Sequence, residues 1–399
     1  MNLLFQQLKR LGDDPILGVM TRFRADPSPT KVDLGVGVYR DPLGNTPVLD
    51  CVRRAEQAVL ADQTSKTYVA PAGRAEFNTL VTELVLGAGH PALQDGRVRT
   101  LQVPGGCGAL RVGAELLRLA AARTRVHVST PTWGNHLPLL GNSGLELMRY
   151  PYYDTAANRL EFERMLQSLE AAAAGDCVLI HACCHNPTGE DLAADQWTAV
   201  IEVLQRRGLV PFLDLAYQGF GTDLESDAQA VRRVAAAVPE ALIAVSCSKN
   251  LGLYRERVGA LISVSADPGQ ADAVQSQLLQ IARSIYSMPP DHGAAIAARI
   301  FADPALRASW VQELAAMRAR LVAMRALLTQ SLREVTDGPA FDFIRGQRGM
   351  FSLLGLAPEK VERLREQHHV YMLADSRINI AGLMPHNARH VAEAIAAVL

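Results

Sequence analysis

The chain has almost no net charge: 40 Lys and Arg stand against 41 Asp and Glu, a formal -1 at pH 7. Without a basic excess or a Lys/Arg cluster, neither a nucleic acid nor an anionic membrane is an expected partner. No apolar run approaches a membrane span. From Met1 to Arg10 there is no charged start before the short apolar stretch and no small-residue cleavage site, so no signal peptide is expected. Cysteine is sparse. Cys51, Cys107, Cys177, Cys183, Cys184 and Cys247 fall in strand-like or Gly-rich segments. That placement points to buried thiols in a reducing compartment, with the cytoplasm as the expected location, and excludes a disulfide framework. Internal repeats and low-complexity linkers are missing too.

What is present is a globular composition, 49% apolar and 20% charged, over 399 residues. That length favours two domains over one. Through the middle of the chain strands and helices alternate, as in a largely parallel sheet covered on both faces. From Leu306 to Leu328 the apolar residues Trp310, Leu314, Met317, Leu321, Met324 and Leu328 recur at spacings of four and three. This is one long amphipathic helix, expected to link a large domain to a smaller α+β one. The first 14 residues read as an arm, with Asp13-Asp14-Pro15 capping or turning the chain after it.

The most informative stretch is Ser246-Cys247-Ser248-Lys249-Asn250, which follows the buried strand Ala241 to Val245. Open α/β sheets carry their sites at strand carboxyl ends. A lysine held there among apolar residues has a depressed pKa, and its free amine attacks carbonyls. Arg257 arrives eight residues later, before a second apolar run. Lysine, serines and arginine together suit an aldehyde cofactor bearing a phosphate.

Other strand ends carry further candidates. Leu101 to Pro104 runs into Gly105-Gly106-Cys107-Gly108 and then a helix from about Ala109. That order builds an anion site from unpaired N–H groups and a helix dipole. It also resembles a nucleophile elbow around Cys107, and it is not a P-loop, because no Gly-Lys-Ser/Thr follows. Trp133 and His136 lie in a loop after a strand, where an indole can stack on an aromatic ligand. Cys183-Cys184-His185-Asn186 ends another strand. A metal is not expected there, because adjacent cysteines do not easily ligate one ion and no second Cys/His cluster follows. Asp214 ends a strand three residues before Tyr217, which suits a charge held against a cationic ring nitrogen with a phenol nearby.

Taken together, Ser-Cys-Ser-Lys-Asn with Glu-Arg-Val-Gly, Cys-Cys-His-Asn-Pro-Thr-Gly, Asp-Leu-Ala-Tyr-Gln-Gly-Phe and Pro-Thr-Trp-Gly-Asn-His resemble the aspartate and aromatic-amino-acid (tyrosine) aminotransferases of bacteria. The resemblance runs over nearly the whole chain and implies the pyridoxal-phosphate (PLP) transferase fold type I. In that fold a mostly parallel seven-stranded α/β domain, residues 45–315, accompanies a smaller α+β domain made of 15–44 and 316–399. PLP is the implied cofactor.

The resemblance also implies roles. Lys249 would bond to the cofactor aldehyde and then move the proton between the substrate α-carbon and the cofactor. Asp214, supported by His136, would keep the ring nitrogen protonated. Tyr217 and Asn186 would hydrogen-bond the ring oxygen, and Trp133 would stack on the ring. Ser246, Ser248, Arg257 and the Gly106-Cys107-Gly108 turn would hold the phosphate, joined by Tyr68 from the other subunit of a homodimer. Arg377 would clamp the substrate α-carboxylate, and Gly37 would lie against the substrate. Arg283 would cross to the other subunit and pair with a distal carboxylate.

Two positions depart from the family pattern. Cys107 replaces the usual Thr or Ser, and a thiol is the weaker donor, so weaker PLP retention is expected. Met288 replaces the usual Asn or Ser, which suggests a pocket tolerant of bulky side chains. The implied reaction is ping-pong transfer of an amino group between an aromatic or acidic L-amino acid and 2-oxoglutarate. The aromatic branch is favoured, with an aspartate or a specialised biosynthetic aminotransferase as the alternative. Other PLP chemistry, a PLP-binding sensor and a Cys107 hydrolase are the competing readings.

Overall fold

Seven short segments hydrogen-bond side by side, the central ones uniformly or largely buried and the two edge strands less so. They are β1 (Val98–Pro104), β2 (Arg125–Thr130), β3 (Glu146–Pro151), β4 (Cys177–His181), β5 (Val210–Leu215), β6 (Ala241–Ser246) and β7 (Val258–Val264). The spatial order is β1-β7-β6-β5-β4-β2-β3. β4, β6 and β7 are buried at every position. Such continuous apolar runs are what a sheet covered on both faces requires. The computed structural model describes residues 4–10, 12, 15–121 and 123–399, so the expected turn at Asp13-Asp14 lies outside the described residues.

Only β7 runs against its neighbours, pairing antiparallel with both β1 and β6. This reversal has a consequence for the site. The amino end of β7 shares a sheet edge with the carboxyl ends of the others: Val258 pairs with Pro104 and Gly259 with Ser246. Arg257, one residue before β7, is thereby delivered to that edge.

After β1 the chain enters α1 (Gly105–Ala120) at once. The sequence reading started this helix four residues later, because glycine is a poor helix former. Close packing explains the glycines. A Cβ on Gly108 would come within 2.8 Å of Pro104 Cδ, and one on Gly105, where φ is +69°, within 2.5 Å of Arg257 Nη2. The first turn lacks intrahelical partners for its N–H groups in any case, so glycine costs least there.

The long helix α2 (Pro304–Thr336) exceeds the expected Leu306–Leu328 at both ends. Asp303 caps its start, accepting from the N–H groups of Ala305 and Leu306. Its side chains hold loops on several sides. The Trp310 indole donates to the Asn250 carbonyl at 2.7 Å. Glu313 accepts from the N–H groups of Asp50 and Cys51 and so caps the helix Asp50–Asp62 from outside. Arg318 donates to the Gly219 carbonyl at 3.0 Å.

Beyond the main sheet, pairing is local. Val32–Asp33 runs parallel to Val370–Tyr371, and Phe351–Leu353 antiparallel to Arg377–Asn379. The alternating stretch Val32 to Tyr39 pairs as a strand only over Val32–Asp33. After Asp33 the chain turns aside, with the Asp33 carboxylate accepting from the Gly35 N–H and from the Arg40 guanidinium. Phe343–Gly346 is a single helical turn. The expected arm includes a short 3-10 turn, Leu4–Gln7, whose residues are all exposed.

Candidate active site

A cavity of about 250 Å³ opens at the sheet edge where β1, β4, β5 and β6 end and β7 begins. Twelve of the sequence-predicted residues line it. Gly106, Cys107, Trp133, Asn186, Asp214 and Tyr217 come from the edge loops, Ser246, Ser248, Lys249 and Arg257 from the β6–β7 connection, and Gly37 and Arg377 from outside the sheet.

Lys249 is half-buried, and its Nζ lies 4.9 Å from the centre of the Tyr217 ring. Loss of water around the ammonium lowers its pKa, and the neighbouring Asp214 offsets part of that effect. Asp214 is buried. Burial works against its anion, but the His136 hydrogen bond and nearby positive charge outweigh it and hold the carboxyl below its usual range. His136 Nε2 is 3.0 Å from Asp214 Oδ2, and its Nδ1 is 2.8 Å from Thr132 Oγ1. Trp133 meets the His136 ring edge-on, with centroids 5.3 Å apart. His181 approaches the same Asp214 oxygen at 3.9 Å, its ring 5.0 Å from that of His136, and burial pushes its pKa down to about 3.

At the opposite end of the cavity the groups are cationic and small. Arg257 Nη1 donates to Ser248 Oγ at 3.2 Å and to the Tyr254 carbonyl at 3.2 Å. Ser246 Oγ accepts from the Ser248 N–H. A Cβ on Gly106 would come within 3.2 Å of Ser246 Cβ, so the missing side chain keeps a concavity open over the start of α1. Cys107 Sγ, half-buried, faces Asn135 Nδ2 at 3.7 Å.

Arg377 closes a third side. Only 4% exposed, it donates to Asn186 Oδ1 at 3.1 Å and to the Gly35 carbonyl at 3.2 Å. Its Nε is buried without a partner. The guanidinium carbon lies 4.3 Å from the centre of the Phe351 ring.

Five sequence-predicted residues do not line this cavity. His136 stands one layer behind, on Asp214. Gly108 is in the first turn of α1, packed on Pro104. Tyr68, 89% exposed, and Arg283, whose guanidinium bonds Ser287, stand on the surface away from the cavity. Met288 follows Arg283 in the same segment, its N–H bonded to the Tyr286 carbonyl. Residues that sequence reasoning missed include Phe351, Tyr254 and His181. Tyr254 lies inside the lysine stretch and accepts from the Tyr39 N–H at 2.9 Å, which ties that stretch to the segment carrying Gly37.

Comparison with known proteins agrees with this geometry. The family model for aminotransferase class I and II matches residues 29–395. The chain is 45% identical to the aromatic-amino-acid aminotransferase of Paracoccus denitrificans, over 97% of this chain and 98% of that protein. It is 46% identical to the aspartate aminotransferase of Escherichia coli strain K12, over 99% and 100%. Among solved structures, the aromatic-amino-acid aminotransferase of Burkholderia pseudomallei, covalently bound to pyridoxal phosphate, superposes with a TM-score of 0.97 at 46% identity, covering 100% of both chains. With a matching model over most of its length and relatives this similar end to end, the chain belongs to the class I and II aminotransferases.

Proposed function

We propose that this protein is a PLP-dependent aminotransferase that moves an amino group between an aromatic or acidic L-amino acid and 2-oxoglutarate in two half-reactions. The observation that carries the reading is the single cavity that gathers Lys249, Asp214, Arg257 and Arg377. These are an amine, a buried anion and two guanidinium groups, set on different sides of one space.

The donor set fits the cofactor. Lys249 offers a primary amine of lowered pKa to an aldehyde. Asp214, held anionic in a buried place, offers a partner to a protonated ring nitrogen. Arg257, Ser246, Ser248 and the start of α1 offer a guanidinium, two hydroxyls and free N–H groups to a phosphate. Gly106 leaves the concavity that the phosphate needs. When bound, PLP supplies an electron-accepting ring that makes the substrate α-proton removable.

The protein's own groups then do the following. Arg377 grips the α-carboxylate and fixes which bond at Cα faces the ring. Lys249 takes that α-proton and returns one during the reverse half-reaction. Tyr217, whose phenol is kept neutral by burial, donates a hydrogen bond into the cavity, together with Asn186. Trp133 covers one side and limits water.

We further propose a homodimer with shared sites. Tyr68 and Arg283, on the surface away from this subunit's cavity, would serve the neighbouring one. Residues 45–315 would act as the large domain, and 15–44 with 316–399 as the small one that closes over substrate. Six free cysteines suit a cytoplasmic location.

The test mixes purified holoenzyme with single amino acids: aspartate, glutamate, phenylalanine, tyrosine, tryptophan, leucine and arginine. The expected result is loss of the cofactor's visible band, restored by 2-oxoglutarate, with aromatic and acidic donors ahead of the rest. A band that no amino acid in the panel moves would overturn the dicarboxylate and aromatic assignment.

A further inference from the structure

Arg325 is a buried arginine that Asp191 and Glu190 influence only from a distance. It lies on α2 and is only 2% exposed, and among the described residues no carboxylate pairs with it. A buried cation without a directly bonded carboxylate is costly unless its donors are met. Here they are met by backbone. Nη1 donates to the Ile344 carbonyl at 3.2 Å and to Ser352 Oγ. Nη2 donates to the carbonyls of Arg348, Gly349 and Phe351 at 3.2, 3.0 and 2.6 Å. Burial lowers its pKa only to about 10, so it stays charged at neutral pH. One guanidinium thus gathers four carbonyls of the segment leading into the strand Phe351–Leu353.

That strand delivers one ring to the active site. The Phe351 side chain lines the cavity with its face under the Arg377 guanidinium, 4.3 Å from centroid to carbon. Tyr217 meets it edge-on at 5.9 Å. Gly37 lies so close that a Cβ there would touch the ring at 3.4 Å. The strand also pairs with Arg377–Asn379, Leu353 standing opposite Arg377. Among the described residues the Arg377 guanidinium makes two hydrogen bonds, to Asn186 and Gly35, and its Nε has no partner. The aromatic face is therefore the third support that fixes its plane.

We propose that Arg325 and Phe351 are positioning residues for Arg377: Arg325 fixes the backbone that carries Phe351, and the Phe351 ring holds the Arg377 guanidinium in the orientation that receives a carboxylate. This rests on the reading of Arg377 as the carboxylate clamp. Neither residue touches the reacting atoms. A cation over an aromatic face in a desolvated site contributes enough to matter at the level of a tenfold affinity change.

The test titrates holoenzyme calorimetrically with 3-phenylpropanoate, an aromatic monocarboxylate with no amino group to react. Phe351→Leu keeps an apolar strand residue but removes the ring. It is expected to weaken binding about tenfold, and to raise KM for amino donors more than it lowers kcat. In an Arg377→Gln background the same Phe351→Leu change should cost less than about twofold, because there is no guanidinium left to hold. Arg325→Lys, which leaves most of the carbonyls unmet, should weaken binding several-fold in the Arg377 enzyme. Equal losses for Phe351→Leu in both backgrounds would overturn the proposal and leave Phe351 as plain packing. Wild-type affinity in Arg377→Gln itself would overturn the reading of Arg377 as the clamp, a result distinguishable from the first.

Discussion

The two sides of the cavity are built differently. On the sheet side, Lys249, Asp214, Ser246 and Arg257 sit at or next to the ends of adjacent strands of one continuous sheet. Asp214 and Ser246 are held by ladder hydrogen bonds, and Lys249 and Arg257 lie in the short connection between two of these strands. On the other side, Gly37, Phe351 and Arg377 come from three chain segments far apart in sequence, two of which pair as strands only three residues long. The Arg377 guanidinium there is oriented by few contacts: one ring, one amide oxygen and one carbonyl. The sheet side can hold a resident group rigidly. The other side presents the groups suited to an incoming carboxylate. Chemistry and recognition are thus assigned to different parts of the fold.

Changes on the recognition side should alter affinity and leave the cofactor alone. Arg377→Lys loses a two-point grip. It is expected to lower kcat/KM for every amino acid by roughly a hundredfold, with an unchanged cofactor absorbance spectrum in the absence of substrate. A spectrum altered as much as the rate would break the division. Arg283→Leu should sharpen it further, lowering kcat/KM for aspartate and glutamate by about tenfold or more and for phenylalanine by at most a few-fold. Equal losses for both classes would remove Arg283 from the distal-carboxylate role.

Changes on the sheet side should appear in stability and cofactor retention. His181 is buried and neutral, its pKa pushed by burial to about 3 against 6.5 unfolded. Between those values the unfolded chain binds the proton and the folded one does not. Stability from this group is therefore complete above about pH 6.5 and declines as pH falls towards 3. Unfolding midpoints in urea at pH 7 and pH 5 should differ, and His181→Asn should reduce that difference. A midpoint that rises on acidification would contradict the assignment. The smallest effect is expected at Cys107, where Cys107→Ser supplies a better donor and should slow PLP loss about two- to five-fold on dialysis.

The same contrast explains what could be read from the sequence. The sheet side was legible because each strand and its terminal polar group are contiguous: Ala241 to Lys249 is one phrase, as is Val210 to Tyr217. Arg257 was legible from its spacing, although the reversal of β7 that delivers it was not. The helix start at Gly105 was missed because propensity, not packing, governed the reading. Phe351 and Arg325 were missed because their roles exist only in contacts between distant segments. Arg325 did leave a signal. It falls four residues after Leu321 and three before Leu328, on the buried stripe of α2, where a cation has no reason to be unless something inside receives it. Tyr68 and Arg283 were legible only through family resemblance, since among the described residues of this chain nothing engages them with the cavity.

The most direct test of the account is exchange of the substrate α-hydrogen. Holoenzyme is incubated in D₂O with phenylalanine or aspartate and no oxo acid, and the Cα–H signal is followed by NMR. The account expects rapid loss of that signal with wild-type enzyme. With Lys249→Ala, which still has the rest of the cavity, loss should be slower by roughly a thousandfold or more. Exchange at the wild-type rate without Lys249, or none in the wild type with any donor, would contradict the assignment of Lys249 as the group that moves the proton.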